Sequence, residues 1–308
     1  MKIDLSIIIV TYNVKSLLRN CLVSLKDSID HSQLSAEVFV VDNGSDDTQL
    51  MIADEFKWVS YTSNPVNDGF SKSNNFALKK ARGKYFLVLN PDTELEKDTI
   101  QKIYQYMEDN PDVAIATGKV VLPDGNLDGA CHRGFPTPWN SLSRFLHLSK
   151  KYPTSRLFNG YNMGYLDIND THEVDCVTGA FMFVRKLSIL GDDKHKEVGY
   201  FDEDYWANGE DIDWCYRFKL SGWKIMYVPI AIITHYKGAS SGTQISSQKV
   251  TTADRKTKEK WINAFYDAMP IFYNKHYRTK YPFFVKWIVL LGVEIKRRVA
   301  LRKLLSSP

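Results

Sequence analysis

The chain has 308 residues, 44% of them hydrophobic and 25% charged, with a formal net charge of +4. This is an ordinary globular composition with material for a sizeable core, enough for one large domain or two small ones. The charge is too mild to argue for nucleic acid, and no apolar run reaches the roughly 18 to 20 residues of a membrane-spanning helix.

The four cysteines, Cys21, Cys131, Cys176 and Cys215, are widely spaced and lack CxxC pairing. That spacing argues against a zinc site or a disulfide framework and for a reducing compartment. The start, MKIDLSIIIVTYN, reads as a strand and not as a signal peptide, because its apolar stretch is short and follows an acidic residue.

In chain order, Leu5 to Val10 reads as a β-branched strand ending in Thr11-Tyr12-Asn13. Val14 to Leu25 follows with helical spacing. A second strand, Glu37 to Val41, ends in Asp42-Asn43-Gly44, and a helix covers Gln49 to Phe56. Trp58 to Thr62 is a weaker strand. Asn67-Asp68-Gly69-Phe70 turns into a helix over Ser71 to Arg82, with Gly83 as its expected C-cap. The apolar run Tyr85 to Leu89 reads as a buried strand, stopped by Asn90-Pro91 because Pro91 cannot donate to a ladder. Strands alternating with helices of this length predict an α/β fold with a mostly parallel sheet flanked by helices.

Beyond it, Asp98 to Asn110 is helical and Ala114 to Leu122 is a strand. The segment from Asn126 to Asp170 has weak periodicity, holds Arg133, Arg144 and Arg156, and reads as a functional loop or a short helical insertion. Val174 to Val184 looks strand-bearing, with Gly179 and Ala180 in its middle, where small residues let something approach the backbone. Glu210 to Ser221 has helical spacing, Trp223 to Pro229 is a strand, and Ile230 to His235 follows it.

Three strand ends share one edge in a parallel sheet: Thr11, Tyr12 and Asn13; Asp42 and Asn43; Asn90 and Asp92. In open α/β sheets that edge binds ligands. Asp42 offers an acceptor for the amine edge of a base, and Asp92 offers a hard carboxylate for Mg²⁺ or Mn²⁺. Asp92 could equally cap the next helix. There is no GxGxxG after the first strand and no GxxxxGK[ST], which disfavours a dinucleotide turn and excludes a P-loop. Glu210, Asp211 and Asp213 form a second acidic cluster. They suit the first turn of a helix, and a carboxylate there, partly desolvated beside Trp206 and Asn208, could also act as a general base. His235, at a strand end before a Gly/Ser loop, is a candidate second metal ligand.

SIIIVTYN, VVDNGSDD, NDGFSKSNN, LNPDTEL, VTGAFMFVRK, GYFDEDYWANGEDIDWCYR and the late histidine, in that order, resemble the family 2 glycosyltransferases, above all their rhamnosyltransferase-like bacterial branch. The resemblance runs from about residue 5 to 240. It implies a GT-A fold with a Rossmann-like nucleotide-binding half over 1–122, an acceptor or catalytic half over 123–240, and a helical tail over 241–308. It implies an inverting transfer from a nucleotide-sugar, dTDP-rhamnose or a UDP-sugar, to a glycan or polyprenyl-linked acceptor in cell-surface polysaccharide synthesis, with Mn²⁺ or Mg²⁺.

By position, the resemblance puts the donor contacts on Thr11, Tyr12, Asn13, Asp42, Asn43, Gly69, Phe70, Asn74 and Asn90. It puts the metal on Asp92 and His235, and the acceptor-activating base on Asp211 with Glu210 beside it. The donor-sugar or acceptor region falls on Gly179, Ala180, Trp206 and Arg217. Two departures stand out. Asn90 replaces the first acid of the metal motif, and Ser71-Lys72-Ser73 replaces small residues, so Lys72 becomes a candidate phosphate contact.

The tail is basic and aromatic: Lys249, Arg255, Lys256, Lys258 and Lys260, then an apolar run from Phe283 to Val293, then Lys296, Arg297, Arg298, Arg302 and Lys303. An aromatic helix with a basic end fits one lying in a membrane interface, or one packed on the catalytic domain or a partner chain. These readings predict a cytoplasmic protein, peripheral on the inner face of the cell membrane, able to self-associate and without nucleic acid. Two rivals stand beside the transferase: a metal-dependent nucleotidyltransferase, and an inactive sugar-binding or scaffold protein.

Overall fold

The computed structural model describes residues 2–44, 47–64, 66–238, 242 and 253–306. Its centre is β1 (Leu5–Thr11), whose residues are all buried. Each Ile in it contributes about 1.5–3 kcal/mol by leaving water. β1 pairs in parallel with β2 (Ala36–Asp42) on one side and β4 (Tyr85–Leu89) on the other, and β3 (Val59–Ser63) extends β2 outward. The chain therefore runs outward from β1 to β3 and returns across β1 to β4. That reversal opens a crevice at the carboxyl ends of β1 and β4.

α1 (Lys15–Ser32) and α2 (Thr48–Glu55) connect the first three strands, and α3 (Phe70–Leu78) leads back to β4. α1 runs seven residues past the predicted end, to a left-handed Gln33, and buries Ser28 beyond the apolar stripe. α3 stops four residues short of Arg82, so Gly83 is not its cap. Gly83 instead lets the chain pass β1: a Cβ there would lie 2.6 Å from the backbone N of Ser6.

After β4 the sheet becomes mixed. β5 (Thr93–Leu95), α4 (Thr99–Asp109), β6 (Val113–Val121), β7 (His172–Glu173), β8 (Phe181–Arg185), α7 (Lys186–Leu190), α8 (Glu210–Leu220) and β9 (Lys224–His235) follow in order, with α5 (Pro138–Phe145) and α6 (Leu148–Lys151) between β6 and β7. Strand order is β3-β2-β1-β4-β8-β6-β9-β5, with β7 against β9. β8 is antiparallel to β4 and β6, whereas β6 and β9 are parallel. The parallel expectation thus describes the first half of the sheet. The long excursion from 122 to 180 brings the chain back in the opposite sense.

Three further differences have local causes. β5 is too short to show a period, and it forms because it pairs with the end of β9, Thr93 opposite His235. The two predicted pieces 223–229 and 230–235 are one strand, since Pro229 is accommodated where the β6–β9 register shifts. Gly179 and Ala180 precede β8 instead of lying inside a strand, because the N–H of Ala180 turns to Thr178 Oγ1 at 3.3 Å. The weak 126–170 segment is a short helical insertion, the second of the two expected forms.

The tail is helical and docked. α9 (Arg255–Phe272) runs into a π-helical turn, Tyr273–Tyr277, and α10 (Phe283–Ser306) follows. Ala268, Phe272, Tyr273 and Tyr277 pack with Tyr205 and Tyr216 in a second core, separate from the one around the sheet. Of the basic stretch, Lys249 lies outside the described residues, and Arg255, Lys256, Lys258 and Lys260 fall on α9. No helix among the described residues is long and apolar enough to cross a membrane.

Candidate active site

The donor edge is assembled from the ends of β1 and β2. Asp42 is buried, accepting from the N–H of Gly44 at 2.8 Å and from the Tyr61 hydroxyl at 2.9 Å. The side-chain oxygen of Asn43 accepts from Asn64 Nδ2 at 2.8 Å and Ser73 Oγ at 3.0 Å. Asn13 takes a left-handed conformation, φ 53°, and its side-chain oxygen lies 2.4 Å from where a Cβ on Gly44 would be. Tyr12 beside it is half-buried. Ser45 and Asp46 of the VVDNGSDD motif lie outside the described residues.

Three buried atoms at this edge, Thr11 Oγ1, Ser71 Oγ and Asn74 Oδ1, have no hydrogen-bond partner among the described residues. Buried polar atoms in native proteins nearly always have partners, so these three are candidates for contact with a ligand. Asn74 Nδ2 donates to Phe70 O at 2.9 Å. Gly69, at φ +92°, lies against Trp206: any Cβ there would come within 2.5 Å of its backbone oxygen and ring. Lys72 pairs with Asp68 at 3.2 Å.

The second group of residues gathers at the end of β4. The N–H of Asn90 donates to Ala180 O at 3.0 Å, and Asp92 follows the proline, buried. The β5–β9 pairing brings His235 against it, Nε2 3.3 Å from Asp92 Oδ1. The other ring nitrogen lies 2.9 Å from Asp128 Oδ2, and Lys237 Nζ donates to Asp128 Oδ1 at 2.6 Å. Burial alone would lower the imidazole's affinity for protons. The charges and hydrogen bonds of Asp92 and Asp128 outweigh burial and raise it to about 9. Burial opposes ionisation of Asp128 too, and the His235 bond and Lys237 hold it well below the usual carboxylate range.

An imidazole with one nitrogen facing a carboxylate and the other fixed by a second carboxylate is the arrangement of a metal-ligating histidine and its orienting partner. Among the described residues no three or more His, Cys, Asp or Glu are grouped to hold a metal by themselves. Mg²⁺ and Mn²⁺ commonly take one or two protein ligands and complete their shell with phosphates. Asp92 and His235 fit a cation of that kind.

The third group starts α8. Asn208 and Gly209 are both left-handed, φ 69° and 87°, and this double turn delivers Glu210 and Asp211 into the first turn of the helix. Asp211 Oδ2 accepts from Arg133 Nη2 at 2.6 Å and from the N–H of Gly179 at 3.4 Å, while Oδ1 accepts from the N–H of Ile212 at 2.7 Å. Glu210 is buried beside it, and its Oε2 has no partner among the described residues. Burial first, then the charge of Asp211, pushes the Glu210 carboxyl up to about 8. Its burial therefore favours the protonated form of Glu210.

Asp211 touches Gly179, and the next residue, Ala180, holds Asn90, two positions before Asp92. The Gly179–Ala180 segment thus holds Asp211 at one residue and, at the next, the backbone just before Asp92. Trp206 joins the same rim: its carbonyl accepts from the N–H of Phe70 at 2.7 Å, and Lys260 lies 3.9 Å over its ring. Phe70 in turn packs near Gly179. A cavity of about 230 Å³ opens between Tyr205, Trp206 and α9.

Arg217 is the exception among the expected site residues. Its guanidinium donates to Asp213 Oδ2 and to the carbonyls of Val198 and Tyr200, so it braces α8. Asp213, fully buried, also binds Lys275 at 2.8 Å and His276 at 2.6 Å. Sequence reasoning missed Asp128, Lys237 and the pairing of Arg133 with Asp211. Asp128 reads locally as a turn residue, and it does cap the 3₁₀ turn Gly129–Cys131. No local pattern marks a partner 78 or 107 positions away.

A parallel half with polar strand ends, an acid closing β4 and two acids opening a helix beneath them define the GT-A architecture. The chain belongs to glycosyl transferase family 2, whose profile matches residues 6–187. It is 26% identical over 70% of its length to the low-salt glycan biosynthesis hexosyltransferase Agl10 of Haloferax volcanii, and spans 61% of that protein's length. It is 28% identical over 75% of its length to the rhamnosyltransferase WbbL of Escherichia coli, spanning 82% of that chain. Among solved structures it resembles GalNAc-T7 with UDP, GalNAc and Mn²⁺, with a TM-score of 0.58 and 15% identity over 91% of this chain and 52% of the other.

Proposed function

We propose that this family 2 glycosyltransferase moves a sugar from a nucleotide-sugar, dTDP-rhamnose or a UDP-sugar, to a hydroxyl of a glycan or lipid-linked glycan acceptor, with inversion at the anomeric carbon. The observation that carries the reading is that Asp211 accepts from Gly179 while Asn90, two residues before Asp92, donates to the neighbouring Ala180. Asp42 receives the base of the donor, and Thr11, Asn13 and Asn74 offer polar atoms to the nucleoside. Asp92 and His235 would hold a divalent cation, which when bound offsets charge on the departing diphosphate. GalNAc-T7, of the same fold, is described with UDP, GalNAc and Mn²⁺, which supports both the donor class and the metal.

Asp211 takes the proton of the acceptor hydroxyl as that oxygen attacks the anomeric carbon from the face opposite the diphosphate. Arg133 and the N–H of Gly179 fix Oδ2, and each carboxylate oxygen keeps capacity for a further hydrogen bond. A single displacement needs no protein nucleophile, and it yields inversion. The C-terminal helices attach the protein to the cytoplasmic face of the membrane, where a polyprenyl-linked acceptor would be presented.

Asp211→Asn tests the reading. Turnover, measured as nucleoside diphosphate released in the presence of acceptor, should fall about 10²- to 10⁴-fold, with donor affinity nearly intact by calorimetry. Wild-type turnover in this variant removes Asp211 as the base. Release of pyrophosphate by the wild type points instead to a nucleotidyltransferase, and no turnover of any nucleotide-sugar with Mn²⁺ points to the scaffold reading.

A further inference from the structure

We infer that α5, well before the tail in the chain, forms together with α10 a single face that docks on an anionic lipid bilayer. The inference rests on the membrane reading of the tail and adds a second element to it. α5 begins at Pro138, with Thr137 capping its N-terminus, and it turns Ser143 inward. Its outer face carries Trp139, Leu142, Phe145 and the following Leu146, between 44% and 54% exposed. Four large apolar side chains at helical spacing on an eight-residue surface helix are a patch that needs a partner.

α10 has the same character. One stripe, Val285 and Val289, packs towards the Tyr216–Tyr277 core. Another, Phe284, Trp287, Ile288, Leu291 and Ile295, is 51% to 67% exposed. The two elements meet: Lys296 of α10 lies 5.1 Å over the Phe145 ring of α5.

The charge pattern selects the partner. No acidic residue occurs between Asp128 and Asp167, while Arg144, Lys150, Lys151 and Arg156 fall in that interval. α10 carries six basic residues against one acidic. In a chain of net charge +4 this is a strong local excess. Exposed Trp, Phe and Leu bordered by Lys and Arg match an interface with apolar tails below and anionic headgroups above.

The geometry ties this face to the chemistry. The tail is fastened to α8 by His276 and Lys275 on Asp213, two positions from Asp211. Docking through both α5 and α10 would fix the tilt of the catalytic helix over the bilayer, where one helix alone would leave the body free to swing.

The test uses the full chain and vesicle flotation, with vesicles of phosphatidylglycerol and phosphatidylcholine compared with phosphatidylcholine alone. Trp139→Ser with Phe145→Ser should lower binding to the anionic vesicles roughly tenfold or more. Melting temperature and turnover of a water-soluble acceptor should stay unchanged. Trp287→Ser with Leu291→Ser should do the same from the other helix. Wild-type binding by the α5 pair, with loss in the α10 pair, overturns this inference and leaves the tail reading standing. Wild-type protein that fails to float overturns both.

If the α5 pair melts early, Arg144→Glu with Lys150→Glu and Lys151→Glu provides a second route, since it keeps the apolar packing. Undiminished flotation of that variant counts against the proposal. A wild-type dimer in sedimentation that the α5 pair dissolves, with no flotation, assigns the face to a second copy and likewise overturns it.

Discussion

At the end of β1 and on α3, the buried atoms Thr11 Oγ1, Ser71 Oγ and Asn74 Oδ1 have no partner among the described residues. On and around α8, the acids Asp211 and Asp213 are matched by cations from far along the chain. The first region is a surface with its hydrogen-bonding capacity held open, as a nucleotide site requires. The second is organised electrostatically before any ligand arrives: Arg133 on Asp211, Arg217, Lys275 and His276 on Asp213, and His235 with Lys237 on Asp128. A donor-edge residue should therefore cost ligand affinity and little stability when replaced. Residues of the paired region should cost stability, metal affinity or turnover.

The largest stability effect should come from Asp213→Asn, which leaves Arg217, Lys275 and His276 facing a neutral group in a buried site. Breaking such a set should remove about 3 kcal/mol by chemical denaturation. The pH dependence has a definite sign. Burial alone would raise the Asp213 carboxyl, but His276, Arg217 and Lys275 hold it down at about 2, against an ordinary 3.8. Its contribution is present above pH 4 and is lost as pH falls towards 2, so wild type and variant should converge there. A constant gap across that range would mean that Asn is disrupting packing and not charge.

Next is Asp128→Asn, which stands behind His235 and touches no donor. It should weaken Mn²⁺-dependent donor binding 10- to 100-fold, the usual cost of losing a ligand's orienting carboxylate. An unchanged Mn²⁺ titration would separate Asp128 from the metal site. Thr11→Val then probes the open edge: it should leave the melting temperature unchanged and weaken donor binding by about 1 kcal/mol, roughly five-fold. A loss of stability with no change in affinity would place Thr11 in the paired class.

The smallest effect belongs to Glu210→Gln. Its carboxyl, raised from 4.5 to about 8, resists ionisation in the folded chain. The wild type therefore loses stability as pH rises from about 4.5 to 8, and the variant does not. A higher melting temperature for the variant at pH 8, with no such gain at pH 4, is expected. Equal melting temperatures at both pH values would mean that Glu210 ionises freely.

Much of the first region was legible in the sequence. β1, β2 and β4 are runs of apolar, largely β-branched residues, and their ends carry the polar residues that meet in the crevice. The second region was legible only as acids: GEDID gave α8 its acidic first turn, but Arg217 at helical spacing from Asp213 looked available to a sugar and is bound to that acid. Asp128 resembled an ordinary turn, and the tail's pattern alone did not choose between a membrane interface and packing on the catalytic domain. Gly83 looked like a helix cap and is a point of contact with β1.

The amino-acid sequence by itself determined which segments become strands and helices in the parallel half and which residues end them. Those choices depend on periodicity and on neighbours within a few positions. Only the tertiary structure decided which cation faces which acid, and that α5 and α10 share a face. Ion pairs and packed surfaces join residues 78 to 109 positions apart, as in Arg133–Asp211 and Lys237–Asp128. Nothing in a local pattern encodes that distance; the sheet's reversal at β8 closes it.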